Sequence, residues 1–243
     1  MMFDGKDYFM FDLYGTLVDI LTDESTSVLW SSMASYLSLK GAYYNDTDLR
    51  LDYGRICAKE TSDLLAKMRK GKHKLDEEDV EIDLINVFKE LYVRRGIKPS
   101  RSELEDTAIA FRSISTVKLR LYDGALEVLN ELRRRGKKLY LLSNAQVCFT
   151  VPELKSLGIY DLFDDVFISS DVKVRKPSLA FYEKALGDID PSKCVMIGND
   201  EFDDIRGAMS AGMDACYIQT AQSPSFPVNL PSVRISSLRD ILE

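Results

Sequence analysis

A single histidine, His73, and four scattered cysteines, Cys57, Cys148, Cys194 and Cys216, are all that 243 residues offer for a histidine triad or a zinc site. No two cysteines form a C-x-x-C pair, so neither a zinc knuckle nor a redox dithiol is legible. Cys194 and Cys216 sit inside apolar, strand-like runs, which reads as buried free thiols. No apolar run approaches the roughly 20 residues of a membrane-spanning helix, and the acidic N-terminus lacks a signal-peptide pattern. The expectation is a cytoplasmic protein with no membrane partner. Positive charge is also in deficit. Lys and Arg number 32 against 39 Asp and Glu, a net charge of −7. That excludes a molecule drawn as a whole to nucleic acid or acidic membrane. An anionic substrate would have to be held by local positive charge or a metal.

The rest of the composition is that of a soluble globular chain, 45% hydrophobic and 29% charged, long enough for one sizeable domain or a core with an insertion. Tyr8-Phe9-Met10-Phe11 reads as a buried parallel strand. From about Ser25 to Thr116 the pattern changes to amphipathic helices, with Trp30, Met33 and Leu37 at helical spacing and further helices over Glu60–Lys70 and Val80–Arg95. Arg69-Lys70-Gly71-Lys72-His73-Lys74 reads as a solvated loop. From Leu121 the β/α alternation returns. Helices are expected over Gly124–Arg135, Val151–Leu157, Ser178–Leu186 and Asp203–Ala211. Strands are expected over Lys138–Leu142, Asp165–Ser169, Cys194–Ile197 and Asp214–Ile218, and an irregular connection over Ser223–Pro231. Alternating strands and helices imply a parallel sheet with right-handed crossovers, interrupted by an all-helical insertion.

Chemistry gathers at the strand ends. Asp12 follows the first strand, Gly15 permits a sharp turn, and Thr16 places a hydroxyl beside Asp12. A carboxylate there is a candidate nucleophile; the alternative is an Asp that caps the following turn. Ser143-Asn144, the Asp171–Lys176 loop and Asn199–Asp204 end three further strands. Four polar strand ends of a parallel sheet face one crevice. Asp12 can attack, Ser143 and Asn144 can hold oxygen atoms, and Lys176 can neutralise an anion.

Four motifs in order, Asp12-Leu13-Tyr14-Gly15-Thr16-Leu17, Leu142-Ser143-Asn144, Arg175-Lys176-Pro177 and Gly198-Asn199-Asp200 with Asp203-Asp204, resemble those of the haloacid dehalogenase superfamily of hydrolases. The resemblance implies a Rossmann-like core over 1–18 and 120–243 and a helical cap over 19–119. It also implies an aspartyl-enzyme intermediate on Asp12, with Thr16, Ser143, Asn144 and Lys176 in the catalytic set. Family phosphatases carry a second Asp two residues after the nucleophile, as general acid and base. Here that position is Tyr14, a poor base at neutral pH because its ordinary pKa is about 10.

The Asp-x-Tyr-Gly-Thr form instead resembles the 2-haloacid dehalogenases, which need no proton on the leaving halide. Tyr14 and Tyr182 are then candidate substrate contacts; a half-buried helix-face tyrosine is the alternative for Tyr182. Those dehalogenases use an Arg of the early cap, and none lies between Asp12 and Lys40. Arg50, Arg55, Lys59 and Arg112 are candidates by charge alone.

Asp200, Glu201, Asp203 and Asp204 crowd carboxylates near Asp12 and suit Mg²⁺. The expected ligands are Asp12, the Tyr14 backbone carbonyl and Asp200 or Asp204. Asn199, where the family has an acid, weakens that set, and helix-dipole compensation accounts for part of the acidic run. The sequence therefore points first to Mg²⁺-assisted hydrolysis of a small phosphoester. A metal-independent 2-haloacid dehalogenase is the alternative, and a catalytically weak metabolite-binding relative a third.

Overall fold

The computed structural model describes residues 2–69, 71–224 and 233–243. The strands are β1 (Tyr8–Phe11), β2 (Val18–Thr22), β3 (Thr116–Leu121), β4 (Lys138–Ser143), β5 (Asp165–Ile168), β6 (Cys194–Gly198), β7 (Asp214–Ile218) and β8 (Val233–Ile235). The helices that matter are α1 (Ser27–Leu39), α2 (Asp46–Met68), α3 (Leu84–Val93), α4 (Arg101–Ser115), α5 (Ala125–Arg134), α6 (Val147–Ser156), α7 (Ser169–Val172) and α8 (Leu179–Leu186).

β1 lies inside a six-stranded sheet of order β5-β4-β1-β6-β7-β8, every pair parallel. Phe9, Met10 and Phe11 are fully buried, as a strand covered on both faces requires. The chain builds outward from β1 through β4 to β5, then crosses back to β6 and builds the other way. That reversal beside β1 opens a crevice at the carboxyl ends of β1, β4 and β6, where such sheets bind ligands. This is the Rossmann-like α/β sheet expected from the resemblance. In α5, Ala125, Val128, Leu129 and Leu132 repeat at helical spacing and bury one stripe against the sheet.

Helices α1–α4 surround a separate apolar cluster centred on Trp30, Phe88 and Phe111. Phe149 of α6 joins it, stacked on Phe111 at 6.1 Å between ring centres. The chain enters this helical block through β2 and leaves through β3, which pair antiparallel. The expected elements need several corrections. β2 and β3 went unread, although Val117, Leu119 and Leu121 alternate with Lys118 and Arg120. The helix expected over Glu60–Lys70 begins at Asp46, capped by Asn45. That expected over Val151–Leu157 begins at Val147 and carries Pro152 inside it. Asp200 caps a π-helical turn over Glu201–Arg206, so this segment starts before the expected Asp203. β8, three residues long, was too short to read.

The irregular connection over Ser223–Pro231 lies, from residue 225 on, outside the described residues, as does Lys70 in the basic loop. All four cysteines are free, with Cys194 and Cys216 buried. Among the described residues no helix is long and apolar enough to cross a membrane.

Candidate active site

The loop after β1 is fixed by its own backbone. Asp12 N–H donates to the Ile197 carbonyl at 2.9 Å, extending the ladder to β6 by one residue. Leu17 and Val18 N–H both donate to the Leu13 carbonyl at 2.9 Å, closing the turn. Gly15 has φ +91°, and a Cβ there would fall 2.3 Å from Asn199 Nδ2. Glycine is thus needed both for the left-handed backbone and for the close approach of Asn199. Thr16 is buried and donates to Asp12 Oδ2 at 3.0 Å, with Asn199 Oδ1 at 3.2 Å as a second acceptor. Thr220, after β7, donates to the Gly15 carbonyl at 2.7 Å.

Lys176 joins the strand ends. Its buried Nζ donates to Asp12 Oδ1 at 2.7 Å, Asp204 Oδ1 at 2.6 Å and the Leu142 carbonyl at 2.8 Å. Burial works against the ammonium, but the charges of Asp12 and Asp204 outweigh it and hold the group well above the ordinary lysine range. Asn144 clips the same loop in place. Its Oδ1 accepts from Lys176 N–H at 2.8 Å, and its Nδ2 donates to the Lys176 carbonyl at 2.9 Å and to Asp203 Oδ2 at 3.0 Å. The amide expected to hold substrate oxygens is therefore occupied in orienting Lys176.

Asp12, Asp200, Asp203 and Asp204 line one cavity of about 180 Å³ with Tyr14, Ser143, Asn144, Lys176 and Asn199; Gln222 and Pro224 complete its wall. Burial pushes the Asp204 carboxyl up, with the charge of Asp12 adding to it against the pull of Lys176. Burial, and then the charge of Asp200, raises Asp203 as well. The Ser143 hydroxyl is buried without a hydrogen-bond partner among the described residues, at the mouth of β4 and on the cavity wall. A ligand oxygen would give it one. Both Asp204 oxygens are engaged, Oδ2 accepting from Asp200 N–H at 3.0 Å. Asp200 Oδ1 accepts from Phe202 and Asp203 N–H at 2.8 and 2.9 Å. Among the described residues no three His, Cys, Asp or Glu side chains form a ready-made metal site. The expected ligand set differs in kind, two carboxylates and the Tyr14 carbonyl.

The two tyrosines turn elsewhere. The Tyr14 phenol donates to Glu153 of α6 and meets Thr150 Oγ1 at 3.0 Å. Burial first, and then the Glu153 charge, pushes it further up from its ordinary value, so it stays protonated. Arg112 of α4 donates to Glu153 Oε1 at 2.6 Å and lies over the Tyr14 ring. Sequence reasoning missed this cluster because nothing in spacing links residues 14, 112 and 153. Tyr182, the other candidate substrate contact, points away from the cavity's lining. It is fully buried, absent from the cavity wall, and donates to the carbonyls of Asp203 and Asp204 at 2.7 and 3.1 Å. Its ring packs where a Cβ on Gly207 would clash at 2.4 Å.

Tyr182→Phe is expected to destabilise the fold by about 0.5–1.5 kcal/mol, because the Asp203 and Asp204 carbonyls lose the Tyr182 donor while Gly207 N–H still donates to that of Asp204. Urea denaturation measures this, and an unchanged midpoint would show the hydroxyl to be dispensable.

A family model for haloacid dehalogenase-like hydrolases matches residues 6–212. The chain belongs to that family. Within it, the chain is 31% identical over 158 residues to a phosphoserine phosphatase of Thermus thermophilus, covering 64% of this chain and 62% of that one. It thus spans under two thirds of that relative. The hydrolase fold is shared with the putative HAD-hydrolase YfnB of Bacillus subtilis, solved with magnesium bound. That match has TM-score 0.54 and 20% identity over 97% of this chain and 96% of that one. It is shared equally with a 2-haloacid dehalogenase of Pseudomonas syringae, at TM-score 0.58 and 17% identity over 98% and 96% of the two chains.

Proposed function

We propose that this hydrolase cleaves small phosphate monoesters through an aspartyl-phosphate on Asp12, with residues 19–119 as its cap and 1–18 with 120–243 as its catalytic core. The observation that carries the reading is the charge of the cavity. Four aspartates line it and one lysine faces them. Lys176 supplies one positive charge against four carboxylates, so the lining is acidic and a phosphate dianion would enter with a cation that offsets it. The donors are hard oxygens, the chemistry Mg²⁺ prefers. Asp12, the Tyr14 carbonyl and Asp200 or Asp204 would hold it. Bound there, Mg²⁺ would offset the charge of Asp12 and of the phosphoryl oxygens. The phosphatase relative and the magnesium in the Bacillus hydrolase support the same reading.

A carboxylate oxygen of Asp12 attacks phosphorus and the ester oxygen leaves, forming the acyl phosphate. Ser143 donates to a phosphoryl oxygen while Lys176 counters the developing charge. Water then attacks phosphorus and releases the Asp12 carboxylate with inorganic phosphate. The Tyr14 proton is committed to Glu153, so the leaving group must be a good one or carry its own proton.

Tyr14 in place of Asp favours a second reading, displacement at a carbon–halogen bond. The cap cations do not supply its carboxylate clamp: Arg55 lies 3.8 Å from Asp52, Arg50 sits over the Trp30 ring, and Arg112 is held by Glu153.

Phosphate release from a panel of monoesters, and chloride release from 2-chloropropionate, separate the two. The expected result is phosphate release that EDTA abolishes and Mg²⁺ restores, with no chloride. Chloride release without Mg²⁺, and no phosphate from any ester, would overturn the proposal.

A further inference from the structure

The loop between α2 and α3 reaches out of the helical block and grips two of the loops that build the cavity. Its backbone does so first. Arg175 N–H donates to the Asp79 carbonyl at 2.9 Å, and Glu81 N–H donates to the Lys173 carbonyl at 3.2 Å. Val80 and Val174 form an antiparallel bridge between these bonds. This pairing ends one residue before Lys176.

Side chains then tie the same loop to the segment that follows Ser143-Asn144. Glu81 Oε1 accepts from Gln146 Nε2 at 3.0 Å, and Glu81 Oε2 accepts from the Ser169 hydroxyl at 3.2 Å. That hydroxyl in turn accepts from Ala145 N–H at 2.8 Å. The Gln146 amide is wholly given to the helical block. Besides Glu81 it donates to the Ile82 carbonyl and accepts from Leu84 N–H, each at 3.0 Å. Gln146 also stands at the start of α6, where its carbonyl accepts from Thr150 N–H at 2.9 Å.

We propose that Glu81, acting through Gln146 and Ser169, is a positioning residue for Asn144 and Lys176. It makes the helical block a brace for the catalytic loops as well as a cover. The inference rests on the reading of Asp12 and Lys176 as the reacting pair. It adds that their geometry depends on a residue outside the sheet. Glu81 touches none of the reacting atoms, and no motif marks it. A carboxylate fits because it presents two acceptors to two donors on different segments, Gln146 and Ser169. Alanine at 81 removes the acceptor that joins Gln146 to Ser169, leaving Gln146 Nε2 the Ile82 carbonyl and the Ser169 hydroxyl the Ala145 carbonyl at 3.1 Å, and the loop carrying Asn144 loses its outer support. Misplacement of a reacting group by about 1 Å costs on the order of a hundredfold in rate.

Glu81→Ala and Glu81→Gln are compared with wild type, with exposed Glu77→Ala as the control from the same loop. Two readouts are needed: steady-state kinetics on a hydrolysed monoester, and amide hydrogen exchange followed by mass spectrometry. The expectation for Glu81→Ala is a fall in kcat of about ten- to a hundredfold, with KM within about threefold. Exchange rises over 143–147 and 173–177, and elsewhere the protein stays at wild-type protection. Glu81→Gln, which keeps one acceptor oxygen, falls between, and Glu77→Ala matches wild type. Wild-type kcat with wild-type exchange in Glu81→Ala would overturn the proposal, and so would a rise in exchange spread over the whole chain. Exchange alone decides the brace if no monoester is turned over, so failure of the phosphatase reading is told apart from failure of this one.

Discussion

Asp12→Asn is expected to abolish turnover, by on the order of 10⁴- to 10⁶-fold in kcat, the usual consequence of removing a covalent nucleophile. The substitution should leave the fold in place. An amide oxygen at Oδ1 still accepts from Lys176, which now stands 2.7 Å from Asp12. The new Nδ2 faces Thr16 Oγ1, at 3.0 Å from Asp12 Oδ2, and can donate to it. Thr16 in turn can donate to Asn199 Oδ1 at 3.2 Å. Asp12's own partners, Lys176 and Thr16, thus each keep a hydrogen bond. Loss of phosphate release with an unchanged thermal midpoint is therefore the expected pair of results. Substantial residual turnover would remove Asp12 from the role of nucleophile and with it the aspartyl-phosphate.

Lys176→Met is expected to damage stability as well as activity. The unbranched stem is matched without its ammonium, but Asp12 and Asp204 then face each other in a buried site without the Lys176 charge, and the Leu142 carbonyl loses its donor. Breaking a buried ion pair by removing one partner costs about 3–5 kcal/mol. The loss should depend on pH in a defined sense. Asp204 already binds its proton more tightly in the folded protein than an ordinary Asp, because burial and the Asp12 charge outweigh Lys176. Without Lys176 that preference grows. The folded state then holds a proton that the unfolded state has released, so stability falls as pH rises above the ordinary Asp range. Denaturation of the variant at pH 5 and pH 8 measures this. The expected result is a variant closer to wild type at the lower pH; equal losses at both would show that the two carboxylates do not share the burden.

Asp12, Ser143 and the acidic run were legible because each follows an apolar run and strand ends converge in a parallel sheet, and Lys176 through the Arg175-Lys176-Pro177 motif. The sheet itself was legible for the same reason, since buried strands leave continuous apolar stretches such as Tyr8–Phe11. What escaped is set by contacts between distant segments. The fate of Tyr182 depends on the bare backbone of Gly207 beneath its ring, and that of Tyr14 on Glu153 and Arg112. Gln222 was unreadable because it reaches the cavity from the loop after β7, folding back to donate to Asp19 Oδ1 at 3.1 Å. The start of α2 was missed because Asp46, Thr47 and Asp48 look like a turn, and it is the Asn45 cap that makes them helical.

The central place of β1 also sets a timetable for synthesis. Tyr8 pairs with Lys138 on one side and Cys194 on the other, so this apolar strand is made long before either neighbour exists. At about 5–20 residues per second, the wait for β4 is on the order of ten seconds. During that interval α1–α4 can condense around Trp30, Phe88 and Phe111, because their cluster draws almost wholly on residues already made. The nascent chain can therefore hold condensed helices while β1 ahead of them has no strand to pair with. The sheet closes only when β6 and β7 emerge, so a chain cut short before Gly198 holds the helical segments but lacks the strand end that carries Asn199 to Asp204.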